Sequence, residues 1–180
     1  LRMGPDGPEA EDQGAAQARI DALIECAARD PWALDDEERR EAAQELAYRS
    51  MEATSTDEAV DAALAAFALD HECVDALVQM AVLIESDEGR VQALEGTLEV
   101  GERLLGGPSY FDENRGCFWG RVETRPYMRA RHALAVTLQE LGRDEEAAGH
   151  YAALLELNPH DNQGVRDVLI ALQLRRGDLP

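Results

Sequence analysis

Four apolar pairs set a register for most of the chain: Leu46-Ala47, Met80-Ala81, Leu134-Ala135 and Val168-Leu169, spaced 34, 54 and 34 residues apart. Each pair lies in a stretch whose apolar residues recur at helical spacing. Before the first pair, Ile20, Leu23, Ile24 and Ala27 follow the same i, i+3, i+4, i+7 pattern until Asp30-Pro31 stops it. Asp35 with Glu38 predicts a capping box opening a helix whose buried stripe is Ala43, Leu46, Ala47 and Met51. Ser55 with Glu58 repeats that signature. Further helices are predicted over about 73–86, 88–105, 125–141, 143–157 and 162–176, and no stretch alternates with the period of a strand. The fold class is therefore all-α.

A common spacing of 34 implies repeated helical hairpins. The extra 20 residues in the middle interval fall at about 107–126, a segment without helical periodicity. Repeats are thus expected at 40–73, 74–107 and 128–161, with a half repeat at 162–180. Ala147, Tyr151, Leu154 and Pro159 have the same spacing as Ala59, Ala63, Ala66 and His71, 88 residues earlier. Residues 14–180 are expected to form a single helical domain, preceded by an acidic, Gly- and Pro-rich tail over 1–13 that reads as disordered. That tail has no apolar core of a signal peptide, and the apolar run Ala62–Leu69 is too short to span a bilayer.

The stretch from Leu134 to Pro159 resembles a tetratricopeptide repeat. The resemblance rests on the Leu134-Ala135 pair, Gly142 at the turn, Ala147, Tyr151 and Pro159. Leu138 and Leu154 depart from the family's pattern, and the two earlier repeats are degenerate, with Thr54 and Glu88 at the turn position. The strings E-T-R-P-Y-M-R-A-R (123–131) and L-N-P-H-D-N-Q-G-V-R (157–166) look like a bacterial branch related to the suppressor-of-tumorigenicity tetratricopeptide group. The resemblance covers about residues 40–180. It implies a right-handed solenoid whose first helix of each hairpin lines a concave groove, and a non-enzymatic role in binding another polypeptide.

In that frame the groove residues are Tyr48, Val82, Arg129, His132, Val136, Gln163, Arg166 and Ile170, with Glu41 and Asp75 making the N-terminal end acidic and the arginines making the other basic. Tyr48, Val82, Val136 and Ile170 would supply apolar contact, while Arg129, His132 and Arg166 would hold carboxylates of an acidic segment. The full carboxylate clamp of chaperone-binding relatives is absent, since Gln44, Val78 and Val82 stand at its positions. The bland alternative is that the apolar residues pack neighbouring helices and Arg129 pairs with Asp75.

Charge narrows the field further. There are 37 acidic and 17 basic residues, a net charge of −20, and every basic residue is arginine. Lysine-dependent chemistry is excluded, and nucleic acid and anionic membrane are expected not to be partners. Residues 106–132 form the one positive segment, +2, and hold five of the nine aromatics. Phe118, Trp119, Arg121, Arg125 and Tyr127 are the second candidate partner-binding set, because arginine and aromatics mark binding hot spots. The alternative is that Phe118 and Trp119 fold back to plug the gap between hairpins.

Cys26, Cys73 and Cys117 offer no paired spacing, so a reducing, cytoplasmic setting is expected. A Cys117–His132 nucleophile is conceivable, but no oxyanion-hole signature surrounds it, and a buried thiol beside Phe118 is the simpler expectation. His71, His132, His150 and His160 lack metal-ligand spacing. No catalytic residue, metal or cofactor is expected. A final helix apolar on two sides, at Ile170 and Leu174 as well as Val165, Val168, Leu169 and Leu172, leaves a scaffold, a homo-oligomer or a piece of a longer repeat protein as the alternative.

Overall fold

Residues 8–177 are described by the computed structural model, and every regular element among them is helical. The helices are α1 (Pro8–Arg29), α2 (Asp36–Glu52), α3 (Thr56–Leu69), α4 (Val74–Val82), α5 (Asp87–Leu104), α6 (Pro108–Asn114), α7 (Arg125–Glu140), α8 (Asp144–Leu157) and α9 (Val165–Arg176). Short 3-10 turns cover Pro31–Ala33, Phe118–Gly120 and Val122–Thr124. Helix α1 takes in residues 8–13 of the expected tail, and residues 1–7 lie outside the described residues.

Helix starts follow local chemistry closely. At α2 the Asp35 carboxylate accepts from the N–H groups of Glu37 and Glu38, both at 2.9 Å, and the Glu38 carboxylate accepts from the Asp35 N–H at 3.0 Å. At α3 only half of the box forms. Ser55 accepts from the Glu58 N–H at 3.3 Å, while the Glu58 carboxylate turns to the Thr54 hydroxyl, also at 3.3 Å. The buried stripe of α2 is also shifted: Ala43 and Ala47 are fully buried, but Met51 is 39% exposed. Ser50 occupies the buried place instead, its hydroxyl donating to the Ala59 carbonyl at 2.8 Å.

Helix ends use glycine where the backbone must turn left-handed. Gly142 (φ +72°) follows α7, and the Arg143 N–H reaches back to the Leu138 carbonyl at 2.9 Å. Gly106 (φ +97°) closes α5 in the same way, with the Gly107 N–H on the Glu102 carbonyl at 2.8 Å. Helix α4 stops earlier than its apolar run suggests. The N–H groups of Leu83 and Ile84 take i−3 bonds to Met80 and Ala81, and Ser86 then caps α5.

Packing divides the chain into two compact units, one ending at Ala76 and the other beginning at Leu77, where the sequence suggested one domain. In the first unit α2 packs against both α1 and α3. Ala43, Ala47, Ala66, Cys73 and Ala76 form its centre, with Leu46, Phe67 and Leu69 against them. Four alanines at that centre allow close helix approach. In the second unit α5 packs on α7, the next long helix, α7 packs on α8, and α8 on α9. Leu134, Leu138, Tyr151, Leu154 and Leu172 are almost wholly enclosed there. Burying each of these side chains is worth about 1.5–3 kcal/mol.

The segment 107–126 departs from expectation. It is not aperiodic: Pro108 occupies the first turn of α6 directly after Gly107, so the Gly-Gly-Pro string ends one helix and starts the next. The last helix begins at Val165, later than residue 162, because Asp161 (φ +55°) and Gly164 (φ +70°) form an intervening turn. Asp161 still caps it from upstream, accepting from the N–H groups of Val165 at 2.8 Å and Arg166 at 3.1 Å.

Candidate functional site

Helix α7 carries Arg129, His132 and Val136 within two turns, and all three are half-buried. Gln163, just before α9, donates from its amide nitrogen to the Met128 carbonyl at 3.1 Å, which anchors the start of α9 to α7. On α9, Arg166, Ile170 and Leu174 follow at intervals of four and are all exposed, Ile170 by 44% and Leu174 by 52%. Spacing of four keeps them on one face of the helix. The result is an apolar stripe with a guanidinium at its N-terminal end. The Arg166 guanidinium also donates to the Pro159 carbonyl at 2.8 Å, so its position is partly fixed.

His132 is not a ready carboxylate donor. Its ring lies 6.1 Å from that of Tyr151, and burial holds its pKa below the ordinary histidine value, favouring the neutral form at pH 7. Toward the N-terminal end, Gln44 donates to the Asp75 carboxylate at 2.7 Å, and Asp75 and Val78 are buried. Those groups work inside the protein. Tyr48 is half-buried and Val82 is 61% exposed, and they fall in different units.

Residues 107–126 and the start of α7 build an aromatic cluster. Phe118 is fully buried, with ring centroids 4.9 Å from Phe111, 6.1 Å from Tyr110 and 6.2 Å from Tyr127. Phe111 meets Tyr127 at 4.9 Å, close to edge-to-face. The Tyr127 hydroxyl donates to Glu102 at 3.0 Å and accepts from Arg131 at 2.9 Å. Burial pushes that phenol up to about 12 despite the nearby guanidinium. Phe118 and Tyr127 are therefore core residues, and their assignment to a partner surface is corrected: their rings pack against Phe111 and each other and are almost wholly enclosed. The Thr124 hydroxyl pins the turn by reaching the carbonyls of Phe118 and Arg121.

The other three insert candidates stay nearer the surface. Trp119 is half-buried, with the Arg125 guanidinium 5.6 Å from its ring centroid and donating to its carbonyl at 3.1 Å. Arg121 is exposed and lies 3.7 Å from Glu123. Cys117 is exposed rather than buried beside Phe118. The histidine that lines a cleft with it is His160, not His132.

Trp32 is a functional candidate that no motif in the sequence marks. It is 81% exposed on the turn after α1, with the Arg39 guanidinium 5.7 Å from its ring. Beside that turn, Pro31 joins Ile24, Ala27, Leu46, Ala65 and Leu69 in lining an apolar cavity. The signal was present as Pro31-Trp32 immediately after a helix stop, but it reads there only as a breaker. Among the described residues no three His, Cys, Asp or Glu side chains converge as a metal site, and no helix is long and apolar enough to cross a membrane. No family model, curated protein or solved structure matches the chain.

Proposed function

We propose that the chain is a non-enzymatic, polypeptide-binding module of stacked helical hairpins, in the manner of a tetratricopeptide repeat. The observation that carries the reading is the exposed stripe Arg166, Ile170 and Leu174 on α9, continued toward α7 through the Gln163 anchor. Apolar side chains on one helix face supply non-directional contact, and an arginine at one end fixes the polarity of an acidic segment. Neighbour-to-neighbour packing of α5, α7, α8 and α9 supports a solenoid arrangement of the second unit. So do the left-handed Gly142 and the burial of Ala147 and Tyr151, two further positions of the repeat signature.

The test is a displayed peptide library screened against wild type, Arg166→Glu and Ile170→Asp. Enrichment of peptides with an acidic end beside apolar residues is expected for wild type. Arg166→Glu should reverse the charge preference, and Ile170→Asp should weaken binding about tenfold or more. No enrichment by wild type, or the same peptides from all three proteins, would sink the reading. A second reading, self-association through the same stripe, is favoured by the exposure of Ile170 and Leu174. Light scattering across a concentration series separates the two: a mass independent of concentration leaves the peptide reading alone.

A further inference from the structure

An apolar cavity of about 240 Å³ lies wholly within the first unit, whereas the α9 stripe belongs to the second. Ile24 and Ala28 of α1, Leu46 of α2, and Ala65 and Ala68 of α3 line it, and every lining side chain is apolar. Ala28, Ala65 and Ala68 are exposed, so the cavity opens to solvent between α1 and α3. An engineered apolar cavity of about 150 Å³ stays dry and takes up benzene, so this one admits a whole aliphatic or aromatic side chain. Pro31 lines it too, and Trp32, the next residue, is 81% exposed. Tryptophan beside a pocket that an apolar side chain can fill is the make-up of a binding hot spot.

Charge around the mouth decides what kind of segment enters. On α3, Asp57, Asp61, Ala65 and Ala68 follow at intervals of four, four and three, which places two carboxylates on the face that lines the cavity. On α1, Glu25 sits one turn before Ala28. All three acids are exposed, and none takes part in an ion pair among the described residues. Two of the nearby arginines are already held, Arg49 by Asp21 and Arg39 by Asp36. Leu69 joins the cavity to a cleft where Arg39 and Arg40 face Asp36, Asp70 and Glu72, so acid is in excess there as well. The whole of residues 1–76 sets 20 acidic against 6 basic side chains. Such a surface repels a second copy of the chain and an acidic peptide alike, and attracts a basic one.

We infer that this cavity docks a basic segment of a partner polypeptide. One large apolar side chain of the segment enters between α1 and α3, and a flanking lysine or arginine lies against Asp57 and Asp61. Burial of the apolar side chain supplies the affinity, and the carboxylates set the orientation and the choice of partner. The site differs from the α9 stripe in its unit and in the charge it prefers, so each stands or falls alone.

The test sorts a displayed peptide library against the full chain, against Ala68→Phe, and against an Asp57→Arg, Asp61→Arg double variant. All three positions are exposed, and thermal melting checks each fold. Wild type should enrich peptides that set a large apolar residue within a few positions of lysine or arginine. The best of these, synthesised with a fluorescent label and followed by anisotropy, should bind Ala68→Phe at least tenfold more weakly. The double variant should lose the preference for basic over neutral peptides. Added salt should weaken wild-type binding, a readout that needs no variant. Ile170→Asp should leave it unchanged, which separates this site from the α9 stripe. A wild-type pool without basic peptides would overturn the inference. So would binding that ignores salt, or equal binding by wild type and Ala68→Phe. A mass in light scattering that doubles for wild type and not for Ala68→Phe would put a second copy in the cavity and overturn it as well.

Discussion

His132 and His150 lie half-buried on α7 and α8, and burial lowers the pKa of each. Arg131 adds to the lowering at His150 and Glu146 opposes it, while the buried Nδ1 of His150 has no hydrogen-bond partner. A lowered folded-state value means that the unfolded chain takes up the proton first. The stabilisation is complete above the ordinary histidine value, about 6.5, and is lost as pH falls through the folded-state values. Acidic self-repulsion eases over the same range, so the informative quantity is a difference. Between pH 7.5 and 5.5 the urea midpoint of wild type should fall relative to a His132→Gln, His150→Gln variant; parallel curves would remove the assignment. Cysteine chemistry gives a second test at this scale. Desolvation pushes the Cys73 thiol up to about 11, whereas Cys117 is exposed. At pH 8, iodoacetamide should alkylate native Cys73 about a hundredfold more slowly than a thiol of ordinary pKa. Cys117 should react without unfolding. Equal labelling of both in the native protein would contradict the burial.

The segment between α5 and α7 is where a small change should matter most at the level of elements. Phe118 is enclosed by Tyr110, Phe111 and Tyr127, so Phe118→Ala removes the centre of the cluster and should cost about 3–5 kcal/mol in urea unfolding. A cost below about 1 kcal/mol would mean that the cluster is not part of the core. This segment also marks the limit of what could be read from residues alone. Caps and stops were legible because they depend on three or four consecutive residues: Asp35 with Glu38, Asp30-Pro31 and Gly142 all act locally. The aromatic residues were visible, and plugging was one of two readings, but the choice between plug and partner depends on contacts to α7 that no local pattern encodes. Helix α6 was missed because seven residues are too few to show a period, and its start signal, Gly107-Pro108, doubles as a stop. On α2 the stripe moved from Met51 to Ser50 because the Ala59 carbonyl supplied a partner from another helix. Of the candidate site, Arg166 and Ile170 were legible as outward positions, while the exposure of Trp32 beside Arg39 was not.

For the whole molecule the dominant long-range term is charge. The net −20 is unevenly divided: residues 1–76 carry 20 acidic and 6 basic side chains, a balance of −14, which leaves −6 for residues 77–180. Local pairs answer part of this in both units, such as Arg19 with Glu41 and Arg49 with Asp21 in the first, and Arg143 with Glu146 in the second. These are exposed pairs, and solvent and salt screen each of them. Repulsion among unpaired carboxylates acts over longer distances. The Debye length falls from about 30 Å at 0.01 M salt to about 3 Å at 1 M, so salt should weaken distant repulsion more than close pairs. Raising sodium chloride from 0.01 to 0.5 M should therefore increase the thermal midpoint by several degrees. The division of charge makes the expectation regional. Native-state hydrogen exchange should slow more in α2 and α3 than in α7 and α8 over the same salt range, because the first unit has more repulsion to screen. A uniform change would mean that the two units open together. Faster exchange in α2 and α3 at high salt would mean that the ion pairs outweigh the excess of acid there, and the charge argument would then fail for the first unit.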